Sequence, residues 1–357
     1  MTSQQQGQLA GIASALLFGC SAPMISTLTQ TGSALSIAGL LYGGATVALV
    51  VLRALRRPRA ETPVSRRDLP PLALLTLLGG VVGPLALVLG LGRVSGASGS
   101  LLLNLEAVFT LAIAVLIGRE HLGRRGALSA GLTVTGAVVL SEGSLVGSTW
   151  QGAALIALAT LAWGIDNNIS QRLSMRDPLQ IASIKATGAA LPMLGLAALM
   201  GERFPSTSVV ASLLLIGALG YGLSIWLDLL ALRALGAARE AVIFSSAPFV
   251  GALFAVAVLN EPITPMLLFA SVLMLSGVAL LLREDHNHLH RHAPMRHAHR
   301  HRHDPRCGDL HHDHHHAPEN LKGVSTDQPF WHAHEHVHEP VEHQDPHVSD
   351  AHHRHEH

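Results

Sequence analysis

The chain has 357 residues, of which 49% are hydrophobic and only 13% are charged, and its formal net charge is zero. Its first 283 residues consist mainly of Leu, Ala, Gly and Val, whereas the remaining residues are almost entirely polar. This division excludes an ordinary soluble domain and indicates a membrane-spanning body followed by a polar tail. The two cysteines, Cys20 and Cys307, form no CxxC motif and imply no disulfide.

Apolar segments recur along the body at the length that a bilayer requires, which is about 20 mostly apolar residues for each helical crossing. The first segment is longer than the core of a signal peptide and no basic residue precedes it, so we interpret it as a retained helix. The fifth segment is short, and its ends are the least well defined. The sequence predicts ten membrane helices, over residues 8–29, 33–53, 71–92, 97–117, 126–141, 150–171, 180–200, 209–230, 238–259 and 264–283.

Arginine is distributed unequally between the loops on the two sides of the predicted membrane. If the N-terminus is inside, the cytoplasmic loops hold 14 arginines, whereas the opposite loops hold only Arg93 and Arg203. Because cytoplasmic loops are enriched in basic residues, this bias predicts that both termini and the tail are cytoplasmic.

The body contains an internal repeat. A constant shift of 141 residues brings Ala97 onto Ala238, Ala107 onto Pro248, Glu120 onto Glu261 and Gly136 onto Gly277, and a shift of 145 brings Gly7 onto Gly152. The sequence therefore predicts an all-α membrane protein with two five-helix repeats, over residues 1–145 and 146–283. Because five is an odd number of crossings, the second repeat would be inverted relative to the first, as in many secondary transporters.

The repeat pattern resembles the EamA branch of the drug/metabolite transporter superfamily over residues 8–283. Pro248, the acidic residue at each helix end and the glycine in each last helix carry this resemblance. The segments 104–110 and 163–168 look like a bacterial subgroup whose members often end in His-rich tails. The resemblance implies an inner-membrane transporter of a small metabolite that works by alternating access. Ala107 departs from the family pattern, which has proline there, and so does not support a kink at that position.

Glu106 lies near the middle of the fourth predicted helix, where its carboxylate cannot reach either membrane surface. Ionisable groups at this depth are costly and usually functional. Glu106 could couple transport to protons or bind a cationic substrate. It could instead be a protonated glutamate that is hydrogen-bonded to a neighbouring helix. Asn104 is also polar, but its spacing of two residues places it on a different face of the helix.

Asp166 and Lys185 flank the loop between the sixth and seventh predicted helices at nearly equal distances from its centre. In an antiparallel pair of helices they would lie at a similar depth and form an ion pair. The pair could be a structural clamp or a gate that opens when substrate or a proton arrives. Asn167 and Asn168 add polar groups, which predicts that this segment lines a cavity or a helix interface.

Three other acidic residues lie at helix ends. Asp228 is within one turn of the cytoplasmic end of the eighth predicted helix, so partial hydration explains how it is tolerated. Glu120 and Glu261 recur at repeat-related positions, and we expect each to cap the helix that follows it. Gly79 and Gly83 have the spacing of a close helix contact.

Motifs for catalysis and nucleotide binding do not occur in the membrane body: residues 1–283 have no GxSxG, Walker A, HExxH or dinucleotide-binding pattern, and the HExxH spacing at 334–338 falls within the alternating histidines of the tail. We therefore predict that the protein is not an enzyme and that transport uses an ion gradient or runs downhill. The tail pairs sparse arginine with acidic residues, which argues against nucleic-acid binding. The expected partners are membrane lipid and a small-molecule or ion substrate.

The tail, residues 284–357, holds 23 of the 24 histidines and has too little apolar content for a core, so we expect it to be disordered. Imidazole is a common ligand of Zn, Ni, Co and Cu ions, which predicts metal binding although no cofactor is required. The predicted metal ligands are His286, His288, His290, His292, His297, His299, His301, His303, His311, His312, His314, His315, His316, His332, His334, His336 and His338.

Three functions are compatible with these features. In the first, the body carries a small metabolite and the tail is a metal-binding accessory. In the second, the cargo is a divalent transition metal such as Ni, Co or Zn. The membrane body, however, offers Glu106 and Asp166 but no histidine, because His121 lies in a loop. In the third, the protein is a membrane-anchored metal sensor, for which ten helices would be an unusually large anchor.

Overall fold

A computed structural model describes residues 3–55, 63–117, 123–142, 149–173, 176–235 and 237–281 of the body. Four short segments of the tail are also described: 290–291, 295–303, 330–338 and 342–343. The described part of the body is helical throughout. Its α-helices are α1 (Ser3–Ser26), α2 (Ala34–Leu55), α3 (Leu69–Leu75), α4 (Gly83–Leu91), α5 (Gly96–Leu102), α6 (Leu105–Leu116), α7 (Arg124–Glu142), α8 (Thr149–Leu173), α9 (Pro178–Leu199), α10 (Thr207–Gly217), α11 (Ser224–Leu235), α12 (Ala237–Phe244), α13 (Ala247–Ala257) and α14 (Pro265–Leu281).

Two π-helical segments interrupt the long helices. The first, π1 (Thr76–Val82), joins α3 to α4, and the second, π2 (Ala218–Leu223), joins α10 to α11. A short 3₁₀ turn (Arg66–Asp68) precedes α3. Because a π segment widens the helix by one residue per turn, it locally disturbs the regular hydrogen-bond ladder, and such segments often occur at functional sites.

Seven helical segments of the described residues are long and apolar enough to cross a membrane. They are Gln5–Ser26, Ala34–Leu55, Arg66–Leu91, Gly96–Leu116, Pro178–Leu199, Thr207–Leu232 and Glu240–Ala257, and a shorter apolar helix covers Pro265–Leu281. These segments confirm a multi-pass membrane protein. The full set of ten crossings, which also needs α7, α8 and α14, stays a prediction.

The helix order repeats along the chain with the shift seen in the sequence. A shift of 141 residues places π1 on π2, the broken pair α5–α6 on α12–α13, and the start of α7 on the start of α14. Both broken pairs are interrupted at related positions, 103–104 and 245–246. The helix breaks and π segments are therefore part of the repeated unit.

The body has an apolar interior and an apolar outer surface. One continuous core includes Ile37, Leu101, Ile156 and Met193 and draws on both repeats. Large apolar side chains are also exposed on the outside, and they include Leu191, Leu199, Leu268, Phe269 and Val272. An exposed apolar surface of this kind suits contact with lipid chains.

Glycines set the closest helix contacts. A side chain at Gly44 would collide with the carbonyl oxygen of Leu214, and one at Gly217 would collide with that of Leu41, so α2 and α10 meet backbone to backbone. Gly79 and Gly83 both face α8, at Asp166 and Trp163, which confirms the predicted close packing. Small residues at helix interfaces are a common means of membrane-helix association.

Replacing Gly217 by alanine should lower the free energy of unfolding by about 1–3 kcal/mol, because the new methyl group has no space beside Leu41. Gly195 is a matched control within α9, since no described atom outside the adjoining turns of its own helix lies within 4 Å of a methyl group built there. Alanine at Gly195 should be neutral or slightly stabilising because of its better helix propensity. Thermal unfolding in detergent measures both variants, and equal effects would contradict this packing.

Part of the tail forms paired strands: β1 (His290–Arg291) with β4 (Glu342–His343), and β2 (Met295–His303) with β3 (Phe330–His338). The expected disorder of the tail is therefore not confirmed for these segments. The alternation of histidine with other residues fits the two-residue period of a strand. The antiparallel register pairs the predicted ligands His297 with His336, His299 with His334 and His301 with His332. Other predicted ligands lie outside the described residues, namely His286, His288, His292, His311, His312, His314, His315 and His316.

Candidate functional site

A carboxylate and an amide connect the two repeats within the body. Asn167 of α8 donates a hydrogen bond from Nδ2 to Oε1 of Glu106 on α6 at 2.8 Å, and the same group lies 3.3 Å from Oγ1 of Thr110. Glu106 is half-buried and Asn167 is exposed, so this contact borders accessible space. Glu106 is the membrane carboxylate that the sequence singled out, and its partner belongs to the other repeat.

Asn168 fastens α8 to α6 beside this contact. Its Nδ2 group donates to the carbonyl oxygen of Thr110 at 3.2 Å and to that of Gly164 at 2.8 Å. Gly164 permits the approach, because a side chain there would lie 3.0 Å from Phe109 Cβ and from the Thr110 amide nitrogen. Asn168 therefore lies at a helix interface, whereas Asn167 reaches accessible space.

The predicted ion pair between Asp166 and Lys185 is present. Asp166 is only 4% exposed, and its Oδ2 atom accepts from Lys185 Nζ while its Oδ1 atom is buried without a hydrogen-bond partner. The pair packs against Gly79 and Gly80 of π1, where a side chain at Gly79 would overlap the carboxylate. A buried charge requires a partner, so each member of this pair holds the other in place.

The carbonyl oxygen of Gly79 is a second point of attachment. It accepts a hydrogen bond from Tyr42 Oη at 2.8 Å and another from Trp163 Nε1 at 3.0 Å. Both donors are buried. The π segment is thus bound to α2 through Tyr42 and to α8 through Trp163, next to the Asp166–Lys185 pair.

Aromatic rings from both repeats contact one another in a group that includes Tyr42. The ring of Tyr42 lies 5.9 Å from that of Tyr221 on π2, and Tyr221 lies 6.0 Å from Phe18 on α1. Phe18 also lies 5.3 Å from Phe244 at the end of α12. These are the distances of ordinary aromatic contacts. The chain has only two tyrosines, and both belong to this group.

Electrostatic interactions connect the carboxylates with the aromatic group. The Glu106 carboxylate lies within Coulombic range of Asp166 and Lys185 and of both tyrosine hydroxyl groups. We call this group the central cluster: Tyr42, Glu106, Asp166, Asn167, Lys185 and Tyr221. It contains two carboxyl groups and one amine, and its members belong to α2, α6, α8, α9 and π2.

The internal repeat agrees with a comparison of the sequence with known families. The profile of the EamA-like transporter family matches residues 5–142 and 150–283, one match for each repeat. The chain belongs to the EamA-like transporter family.

Two relatives of this EamA-like transporter match it over most of its length. An uncharacterized transporter of Methanothermobacter thermautotrophicus is 28% identical over 294 residues, which cover 77% of this chain and 85% of the relative. Uncharacterized protein PA1977 of Pseudomonas aeruginosa is 30% identical over 249 residues, covering 68% of this chain and 81% of that protein. A crystal structure with 16% identity has the same fold, with a TM-score of 0.56 over 77% of this chain and 97% of the other.

Two polar residues of the EamA-like body lie outside the central cluster. Asn104 is buried at the break between α5 and α6, where its Nδ2 group donates to the Leu101 carbonyl oxygen at 2.8 Å. Asp228 shares a hydrogen bond with Glu240 of α12. Two carboxyl groups can share such a bond only when one is protonated. The sequence gives no sign that Glu240 is the partner of Asp228, because the two residues lie at unequal distances from the junction between α11 and α12.

Glu261 caps a helix of the other repeat of this EamA-like protein. Its Oε1 atom accepts from the Gly96 amide at 2.8 Å and its Oε2 atom accepts from the Ala97 amide at 2.8 Å, at the start of α5. The prediction that Glu261 caps the helix that follows it is therefore wrong. The free amides at a helix start are satisfied by any carboxylate that reaches them, and this one arrives from the loop after α13. Glu120 lies outside the described residues.

Replacing Glu261 by alanine should lower the free energy of unfolding by about 1–3 kcal/mol, since two backbone amides would lose their acceptor. Glu202→Ala is the control, because the described residues provide no hydrogen-bond or ion-pair partner for that side chain. Chemical unfolding of the purified protein compares the two. If both variants unfold at the same denaturant concentration, the cap does not connect the repeats energetically.

Metal-ligating side chains do not gather in the described part of the EamA-like body. Among the described residues, no group of three or more His, Cys, Asp or Glu residues could hold a metal ion. The side chains of the tail strands are not part of that description. Metal binding by the tail histidines therefore stays a prediction.

Proposed function

We propose that this protein is a secondary transporter of the bacterial inner membrane that moves a small metabolite by alternating access through the central cluster. The observation that supports this most is a charged cluster that both repeats build inside an apolar body. Each ionisable side chain at the centre of a bilayer costs about 2.5–3.5 kcal/mol on insertion scales. Three such groups in one place therefore favour a functional role.

The opposite copy of the repeat shows, for each of these charges, whether the fold itself requires it. At the repeat-related positions, Glu106 corresponds to Ala247, Asp166 to Ser21 and Lys185 to Leu40. The related helices are nevertheless present with similar bounds. The repeat unit thus forms without the charges, which supports a role in transport over a role in folding alone.

The position between the repeats suits alternating access. Inverted-repeat transporters bind substrate near the bilayer midplane, and one repeat moves against the other around that site. Here Glu106 belongs to the first repeat and its partner Asn167 to the second. A rocking movement of the repeats would therefore change this contact directly. We further propose that both termini are cytoplasmic, on the basis of the arginine bias in the loops.

The tail is proposed to be a cytoplasmic metal-binding accessory for Zn, Ni, Co or Cu. Its support is the density of histidine, 23 residues within positions 286–357, and the strand register that pairs three histidines of β2 with three of β3. Imidazole ligands suit these ions. We do not propose the metal as cargo, because the central cluster supplies two carboxylates and one amide oxygen in place of imidazoles.

Metabolite profiling tests the proposed function. Cells that express the full chain, the Glu106→Gln variant or a truncation after Arg283 are compared for metabolites in the medium and the cytosol. The full chain and the truncation should redistribute the same small metabolite, and Glu106→Gln should not. If the full chain redistributes nothing, or if Glu106→Gln behaves like the full chain, the proposal fails.

A further inference from the structure

The charges of the central cluster do not balance. Asp166 and Lys185 are paired with each other, so they neutralise each other. Among the described residues, the hydrogen bond that Glu106 receives comes from the neutral amide of Asn167, on Oε1. An ionised Glu106 would therefore leave the cluster with one excess negative charge. In surroundings of low polarity, such a charge requires a proton or a bound cation.

From this imbalance, and building on the proposed function, we propose that the substrate is an organic monocation that exchanges with a proton on Glu106. The second carboxylate oxygen of Glu106 accepts no hydrogen bond from the described residues, and the side chain is half-buried, so a ligand can reach it. An ammonium or quaternary ammonium group at this oxygen would supply the missing positive charge.

Substrates of other charge fit the cluster less well. A carboxylate or phosphate would need a cation, and Lys185, the basic residue of the cluster, is already paired with Asp166. A zwitterion would place its ammonium at Glu106 but would have to break that pair to bind its carboxylate. A divalent metal ion would find one open carboxylate, whereas such ions take several oxygen or nitrogen ligands.

The aromatic group favours an organic cation over a small inorganic one. Tyr42 and Tyr221 both lie within electrostatic reach of Glu106, and Phe18 continues the group beyond Tyr221. Aromatic rings attract cations through their negative faces and also bind alkyl groups. A carboxylate with aromatic residues within electrostatic reach thus suits a substrate with one positive charge and apolar substituents.

Exchange of the cation with a proton follows because only the Glu106 carboxylate in the central cluster is not paired with another charge. When the cation binds, the Glu106 proton moves to water and the carboxylate pairs with the cation. When the cation leaves, a proton returns to the same oxygen. The neighbouring charged groups, Asp166 and Lys185, neutralise each other, so they add no net charge to this exchange. Proton and cation therefore occupy the site in turn, and the net charge of the loaded cluster is the same with either one.

Proton release on ligand binding tests this inference with the purified full chain in weakly buffered detergent solution. Two matched series serve as probes: tyramine, tyrosine and 4-hydroxyphenylpropionate, then butylammonium, norvaline and pentanoate. Within each series the carbon skeleton of the probe stays similar, while its charge changes from cation to zwitterion to anion. Across a pH titration, binding of at least one cation should release up to about one proton per chain. The zwitterion and the anion of the same series should bind at least about tenfold more weakly than that cation.

Two variants test whether the proton release depends on Glu106. Glu106→Gln should remove the release, and Glu106→Asp, which retains a carboxylate, should preserve it at lower affinity. Thermal unfolding confirms that both variants are folded. A Glu106-dependent response to the zwitterion or anion overturns the monocation assignment but leaves the transporter proposal intact. Absence of any response to all six probes also overturns the assignment, and metabolite profiling then decides separately whether the chain transports.

Discussion

Replacing Lys185 by methionine is expected to lower the free energy of unfolding by about 3–5 kcal/mol, the range for removing one partner of a buried ion pair. Asp166 is 4% exposed, and its Oδ1 atom already lacks a hydrogen-bond partner, so the remaining carboxylate would be buried without a counter-charge. Thermal and chemical unfolding in detergent measure the loss. The exposed Arg203 provides a control, because methionine there removes a positive charge without leaving a buried carboxylate.

A double replacement separates charge from packing. Asp166→Asn together with Lys185→Met removes both charges and should recover most of the lost stability, because no buried charge remains. If the double variant is as unstable as Lys185→Met, the loss comes from packing and the ion pair is not its cause.

The same double variant also separates the two roles that the sequence left open. A structural clamp predicts that a folded double variant still transports. A gate predicts a folded double variant whose transport is lost, since the charges that respond to substrate or protons are gone. Flux in proteoliposomes, measured on variants of equal stability, gives the answer.

Glu106→Gln should weaken substrate binding by roughly 10- to 100-fold, which corresponds to a hydrogen bond to a charged group, and should abolish coupling to protons. Glutamine retains the side-chain length and can still accept the hydrogen bond from Asn167. The free energy of unfolding should therefore change by less than about 1 kcal/mol. Flux in proteoliposomes with an imposed pH gradient measures the effect on transport.

Two further variants serve as controls for Glu106→Gln. Glu106→Asp should retain coupled flux at a lower rate, because the carboxylate remains but is displaced by one methylene group. Glu202→Gln, a change outside the central cluster, should transport as the unaltered chain does. Normal coupled flux in Glu106→Gln would contradict the assigned role of this carboxylate.

Much of the body could be predicted from hydropathy and the repeat, whereas its irregular segments could not. The apolar runs locate the helices, and the shift of 141 residues relates the later ones. The segments π1 and π2 have the same apolar composition as a regular helix, so hydropathy does not distinguish them. Their position depends on the side chains that pack against them, such as Asp166 and Trp163.

The central cluster was predictable where charge and depth were informative. Asp166 and Lys185 could be paired because their distances from one loop are nearly equal, and Glu106 stood out as a carboxylate in mid-helix. Tyr42 and Tyr221 gave no such signal, although a tyrosine hydroxyl inside a membrane helix needs a partner. The cap by Glu261 was assigned to the wrong helix, because the sequence does not show which helix start is nearest in space.

The accessibility of Asn167 from each side of the membrane tests most directly whether the central cluster opens to both sides in turn. The chain has only Cys20 and Cys307, so a background with serine at both positions allows a single reporter, Asn167→Cys. This position is exposed and belongs to the central cluster. Oriented proteoliposomes are treated with a membrane-impermeant maleimide from the outside or from the lumen. Alternating access through the central cluster predicts labelling from either side. Labelling from one side only, under every gradient tested, or from neither side would contradict it.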